Sequence, residues 1–187
     1  DCVLGLTAAF GTTDPASGAY GGIERATNKW WTSYVDDKSS GDLTWPMLVQ
    51  AIDEIEARGP GNIDFIICGD AGWSHLMMDM KGMQRFDARQ TVFNGWASAI
   101  NLNGVTVVKE KHAPQDQVFL LDRSTLMIAQ DSEGQCMDRD GAILCRVPDK
   151  DAYDAAWFRY WQIICDSPIS NGRITGIGTT YPVAVDD

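Results

Sequence analysis

The chain has 187 residues, of which 44% are hydrophobic and seven are tryptophan, so it can bury a sizeable core as one domain or one domain with a lobe. Its formal charge is −11, with 26 acidic residues against 15 basic ones and no run of five basic residues. That balance excludes a dedicated nucleic-acid-gripping surface, which needs clustered Lys and Arg, and no apolar stretch approaches the roughly 20 residues of a membrane-spanning helix.

The first forty residues are rich in Gly, Thr, Ser and Ala and predict extended connections with little regular structure. Within them stands Tyr20-Gly21-Gly22-Ile23-Glu24-Arg25, followed by Trp30-Trp31. Two glycines permit a tight backbone passage, and a charged pair and a double tryptophan follow. This is the composition of a surface that another protein covers, and no catalytic motif is present in it. Trp is often left partly exposed unless an interface completes its burial; a Trp-rich core is the competing reading.

A helix is predicted over residues 44–58. Thr44 is the candidate N-cap, Pro46 fits the first turn, and Trp45, Leu48, Ile52 and Ile55 form one apolar stripe at spacings of three and four. Gly59-Pro60-Gly61 stops it. Residues 63–68 read as a short buried strand. Asp70 is placed to cap a second helix carrying Trp73, Leu76, Met77 and Met80 on one side. Helix, strand, helix in that order predicts an α/β layer.

A hairpin follows, with strands over residues 96–102 and 105–108 joined by Asn103-Gly104, a favoured type I′ pair. Residues 118–121 predict another short strand. The last third is β-rich. Residues 142–147 read as one strand and residues 153–165 as one long strand, apolar on both faces and therefore expected to be covered on both sides. Residues 171–177 return as its partner.

The search for chemistry comes back thin. Cys68 stands seven residues before His75 across a strand-to-helix turn, a spacing that allows a Cys-His nucleophile pair; the competing reading is a buried strand-end thiol and a helix-surface histidine. Asp138-Arg139-Asp140-Gly141 holds part of a calcium loop, but Cys136 and Val147 stand where ligands are needed. No phosphate-cradling glycine motif and no nucleophile elbow occurs. The five cysteines, Cys2, Cys68, Cys136, Cys145 and Cys165, are odd in number and form no C-x-x-C pair. They predict free thiols in a reducing compartment. No catalytic residue, metal or cofactor is expected.

Several separated segments resemble the major capsid proteins of tailed bacteriophages. Gly5-Leu6, then Tyr20 to Arg25, then Trp30-Trp31 are similar to that family's "GL…YGGIDR…W" stretch. Residues 44–68 resemble its helix and strand. Gln84-Arg85-Phe86 and Phe93-Asn94-Gly95-Trp96 resemble a loop leading into its central hairpin, and residues 100–105 that hairpin. Residues 161–168 and 171–177 resemble its closing strands. The order of these pieces over nearly the whole chain carries the resemblance.

The resemblance implies an α+β tailed-phage capsid fold, with an axial α/β domain and a β-rich peripheral domain. On this reading residues 1–41 are an extended connection on the peripheral side, residues 42–130 the axial domain, and residues 131–187 the peripheral return strands. The family's N-terminal arm and spine helix have no counterpart in the opening residues. Three explanations stand: the chain is the C-terminal part of a capsid protein, another polypeptide supplies the missing pieces, or the chain is a shortened homologue.

The function implied is that of a non-enzymatic structural subunit. It would assemble with copies of itself as pentamers and hexamers into an icosahedral shell around double-stranded DNA, with minor capsid or cement proteins as further partners. Its place would be the virion capsid, and the host cytoplasm during assembly. The candidate subunit-interface residues are Tyr20, Glu24, Arg25, Trp30 and Trp31. Glu24 and Arg25 would pair with a neighbour or fix the local turn, and the tryptophans would act as aromatic anchors or as core. The alternatives are a small cytosolic α/β thiol hydrolase using Cys68 and His75, and a monomeric ligand-binding module.

Overall fold

A computed structural model describes residues 5–11, 18–82, 99–102, 104–131, 133–136, 143–148 and 150–180. In chain order the elements are α1 (Leu6–Phe10), β1 (Ala19–Tyr20), β2 (Ile23–Glu24), β3 (Tyr34–Gly41), α2 (Trp45–Arg58), β4 (Phe65–Cys68), α3 (Asp70–Gly82), β5 (Ala99–Leu102), β6 (Val105–Lys109) and β7 (Val118–Leu121). Then come β8 (Leu126–Gln130), β9 (Gln135–Cys136), β10 (Cys145–Arg146), β11 (Tyr153–Asp154), β12 (Trp157–Phe158), β13 (Trp161–Cys165) and β14 (Gly172–Ile177). Short 3-10 turns stand at Lys29–Trp31, Arg123–Thr125 and Pro168–Ser170.

Six strands form one mixed sheet in the order β3-β14-β7-β4-β6-β5. β14 runs parallel to β3 and β4 parallel to β6; the other pairs are antiparallel. The central strands alternate between two cores, as the two-residue period of a strand requires. Ile66 and Cys68 of β4, Val105 and Val107 of β6, and Val118 and Leu120 of β7 enter the larger core. Phe119 and Leu121 of β7 lie in the smaller core on the other face, with Phe65 and Ile67 of β4 packed against it.

The larger core is roofed by α2 and α3. Trp45, Leu48, Ile52 and Ile55 are all buried, so the predicted stripe is the packing face. Thr44 makes no side-chain cap bond. Asp79 of α3 does that work instead: its Oδ2 accepts the Trp45 N–H at 2.9 Å. The Trp45 indole donates to Leu76 O at 3.1 Å, locking the two helices together. Leu76, Trp73 and Met80 pack into the same core, and Met77 is half-buried. In the β5–β6 hairpin, Gly104 has φ +96°, the left-handed backbone that glycine adopts without cost, and its N–H bonds Asn101 Oδ1 at 2.8 Å. The expected segment over residues 84–86 and 93–98, and Asn103 itself, lie outside the described residues.

Several expectations are corrected. Residues 171–177 do not return as the partner of residues 153–165: β14 pairs with β3 and β7 in the main sheet. The opening residues are not merely extended connections. Residues 34–41 pair with β14 as an edge strand of the main sheet, and Ala9 and Phe10 of α1 are buried in the smaller core. Residues 153–165 are not one long strand covered on both sides. They break into β11, β12 and β13, which pair antiparallel with β10, β9 and β8 respectively. Likewise, among the described residues of the strand expected over residues 142–147, only Cys145 and Arg146 are paired as a strand. The described residues between 126 and 165 thus contribute a narrow two-stranded arm. A two-stranded ribbon has no third strand or helix of its own to shield its faces, and its apolar side chains stay exposed. The sheet draws strands from all three segments expected from the sequence, residues 1–41, 42–130 and 131–187.

Candidate assembly surface

Residues 18–33 fold back over the smaller core and divide into an inner and an outer side. Tyr20 is inside: its hydroxyl accepts the Cys165 N–H at 2.9 Å. Its ring stacks on Trp31 with centroids 6.1 Å apart, and the Arg25 guanidinium lies 5.5 Å from its centroid. Arg25 is only 2% exposed. Its Nη2 donates to Ala8 O at 3.1 Å and to Ala9 O, closing the end of α1. Burial lowers the Arg25 pKa from its ordinary value, with Tyr20 and Cys165 opposing. Trp31 donates its indole N–H to Tyr20 O at 2.8 Å and is half-buried.

Glu24 and Trp30 form the outer side. Glu24 is exposed, and its carbonyl accepts both the N–H and Nδ2 of Asn28. Trp30 is 57% exposed and meets Trp31 edge-on at 5.4 Å. Tyr20, Arg25 and Trp31 therefore make their contacts within their own chain. Arg25 ties this segment to the end of α1, and Trp31 lies edge-on to an outward-facing Trp30.

The sequence pattern missed the larger exposed surface. Met127, Ile128, Ile143, Leu144, Tyr153, Trp157, Tyr160, Trp161 and Ile164 are all exposed on the arm, Trp157 at 69%. Met127 pairs with Ile164 and Ile128 with Ile163 across β8 and β13, so consecutive pairs place apolar groups on both faces. The available signal was the doubly apolar run itself, read as a demand for cover within the chain.

The two residues weighed for catalysis each bond to other groups. Cys68 Sγ donates to Val108 O at 3.4 Å, and burial pushes its thiol up to about 12. His75 is buried, not on the helix surface. Its Nε2 lies 3.0 Å from Gly178 O and its Nδ1 3.3 Å from Asp42 Oδ1. The imidazole thus faces a carbonyl and a carboxylate, with the thiol engaged elsewhere. Cys165 is raised to about 11, again by burial. Cys68, Cys136 and Cys165 are unbridged. Residues 138–141 and Cys2 lie outside the described residues. Among the described residues no group of three or more His, Cys, Asp or Glu stands close enough to hold a metal, and no helix is long and apolar enough to cross a membrane.

A scan against family models gives no match, and neither does a search of curated proteins. Solved structures do match. A chain of the capsid asymmetric unit of cyanophage A-1(L) superposes with a TM-score of 0.65 at 19% identity, covering 94% of this chain and 60% of that one. The SrpI encapsulin of Synechococcus elongatus PCC 7942, in its holo complex, superposes with a TM-score of 0.62 at 9% identity, covering 82% of this chain and 56% of that one. The chain thus spans less than two thirds of either neighbour's length. Its mixed sheet, the helices roofing one face and the projecting arm are the tailed-phage capsid fold, shared with the cyanophage capsid protein and the encapsulin.

Proposed function

We propose that this chain is a structural subunit of a closed protein shell, built from copies of itself as pentamers and hexamers. One observation carries the reading: a chain with the capsid fold leaves nine large apolar side chains exposed on one projecting arm. Monomeric proteins rarely present large contiguous apolar patches, and such patches mark protein–protein contacts. In a symmetric lattice each contact can be modest, because many act together. Trp30, and Glu24 beside it, are the remaining members of the candidate interface on the outer side. The six-stranded sheet, β3 included, with α2 and α3 would serve as the axial domain, and the arm as the peripheral one.

The shell of this reading encloses double-stranded DNA as a virion capsid, assembles in the host cytoplasm, and takes minor capsid or cement proteins as further partners. A charge of −11 suits a wall that confines DNA without gripping it. The likeness to an encapsulin supports a second reading, a shell around a non-DNA content. The subunit role involves no catalysis in either case.

Light scattering coupled to size exclusion tests the shell. Large, narrowly distributed particles are expected, and a monomer or dimer mass would refute the reading. Nuclease digestion of intact particles then separates the contents: protected DNA supports the virion, and its absence with co-purifying protein supports the second reading.

A further inference from the structure

The arm continues two chain paths of the main sheet, and the ladder between them is broken where the arm leaves the sheet. β7 and β14 are antiparallel neighbours in the sheet, with Leu120 opposite Gly172. Beyond the break the same two chain paths continue as β8 and β13, with Leu126 opposite Cys165. Residues 122–125 and 166–171 fill the gap. Two 3-10 turns replace the ladder there, so backbone groups lose their strand partners and need others.

The side chain of Asn171, fully buried, supplies two of them and ties in two neighbouring side chains. Its Oδ1 accepts the Asp122 N–H at 2.8 Å. Its Nδ2 donates to Thr125 Oγ1 at 2.8 Å and to Ser167 O at 2.9 Å, and lies 3.6 Å from Cys165 Sγ. Asp122 is also buried. Its Oδ1 accepts from the N–H and hydroxyl of Ser124 at 3.0 and 2.6 Å, and its Oδ2 from the Asn62 N–H at 3.3 Å. The Ser167 and Ser170 hydroxyls meet at 3.0 Å. A network with Asn171, Asp122 and Thr125 buried at its centre favours one geometry, because bending it leaves those polar groups unpaired in a low dielectric.

The loop leaving α2 presses on the same place. A Cβ on Gly61 would collide with Ser170 Cβ and stand 2.7 Å from Asp122 Oδ2. A Cβ on Gly59 would stand 3.2 Å from Ile169 Cγ2. Neither glycine has the left-handed backbone, so the demand at both positions is for space.

We propose that residues 122–125 and 166–171 form a locked elbow, pinned by Asn171 and wedged by Gly61, which sets the direction in which the arm leaves the sheet. The elbow makes the arm a fixed projection, and the α2–β4 loop is the element that holds its angle. The inference stands on this chain's own contacts and holds whether or not the chain builds a shell.

The test is a distance distribution in the full chain. Non-cysteine spin labels at Glu56 on α2 and Asp154 on the arm, both exposed, report the angle through pulsed electron–electron resonance. The unsubstituted chain should give one narrow peak. Gly61→Ala should shift or broaden it, while Gly5→Ala, where a Cβ meets open space, should not. If Gly61→Ala does not fold, Asn171→Ser and Thr125→Val give the second reading. Each should broaden the peak, and the pair together should do little more than one alone. A broad peak in the unsubstituted chain, or a peak unmoved by all the elbow variants, would overturn the proposal.

Discussion

The indole N–H of Trp31 donates to the carbonyl oxygen of Tyr20 at 2.8 Å, and the two rings stack. This contact turns one side of the glycine-rich segment inward and leaves Trp30 facing out. The two adjacent tryptophans therefore have different roles. Trp31→Ala should destabilise the subunit by about 2–3 kcal/mol, through lost packing and an unpaired carbonyl. Trp30→Ala should change subunit stability by no more than about 0.5 kcal/mol and lower particle yield. Urea unfolding and particle yield, measured on both variants, check this.

Arg25 belongs with Trp31. Reversing its charge places a carboxylate against the carbonyls of Ala8 and Ala9, so Arg25→Glu should unfold the end of α1 instead of weakening a subunit contact. Hydrogen exchange over residues 6–10 should rise in this variant and stay unchanged in Glu24→Ala.

The larger core depends on the α2 stripe. Ile55 is fully buried, so Ile55→Ala should cost about 2–5 kcal/mol as a cavity opens under the helix. Ile52→Asp should cost more, because it buries an unpaired charge. A denaturation midpoint for Ile55→Ala equal to that of the unsubstituted chain would contradict this packing.

How much of this was legible in the sequence follows from where each element finds its partners. Residues 44–58 carry a 3.6-residue period and close their own core face, so α2 could be read directly. Residues 63–68 and 118–121 contain short apolar runs; residues 118–121 are buried on both sides of the sheet, whereas Phe65 and Ile67 of β4 are half-buried on one side. The capping of α2 could not be read, because Asp79 reaches Trp45 from 34 positions away. The inward turn of Arg25 was hidden for the same reason: its acceptors lie on α1. The arm was misread because apolar alternation cannot distinguish a strand covered by its own chain from one left exposed. Trp161, Ile163 and Ile164 have the same pattern in either case.

The thiols separate by burial. Burial holds the Cys68 thiol up at about 12, with Asp70 adding to the effect and Lys109 opposing it, so almost none is thiolate at pH 8. Cys136 is exposed. A thiol-directed reagent at pH 8 should modify Cys136 within minutes in the folded chain and reach Cys68 only on unfolding. Equal rates would show that the strand-end thiol is accessible and would revive Cys68 as a nucleophile.

The arm carries the claim about assembly, and one substitution isolates it. Ile128 is among its most exposed side chains, so Ile128→Ser should alter subunit stability by no more than about 0.5 kcal/mol. Yet it removes apolar area where a neighbour is expected. Particle yield should fall several-fold while soluble subunit accumulates. Unchanged yield would move the contact away from this face.

The most direct measurement is electron cryo-microscopy of the purified assembly with its complete subunit. The account predicts a closed shell of pentamers and hexamers. In it the exposed side chains of β8, β12 and β13 should be covered, with at least part of that cover coming from a neighbouring subunit, and Trp30 should lie against another chain. A monodisperse monomer with the arm bare in solution, or a shell in which the arm touches no neighbour, would contradict it.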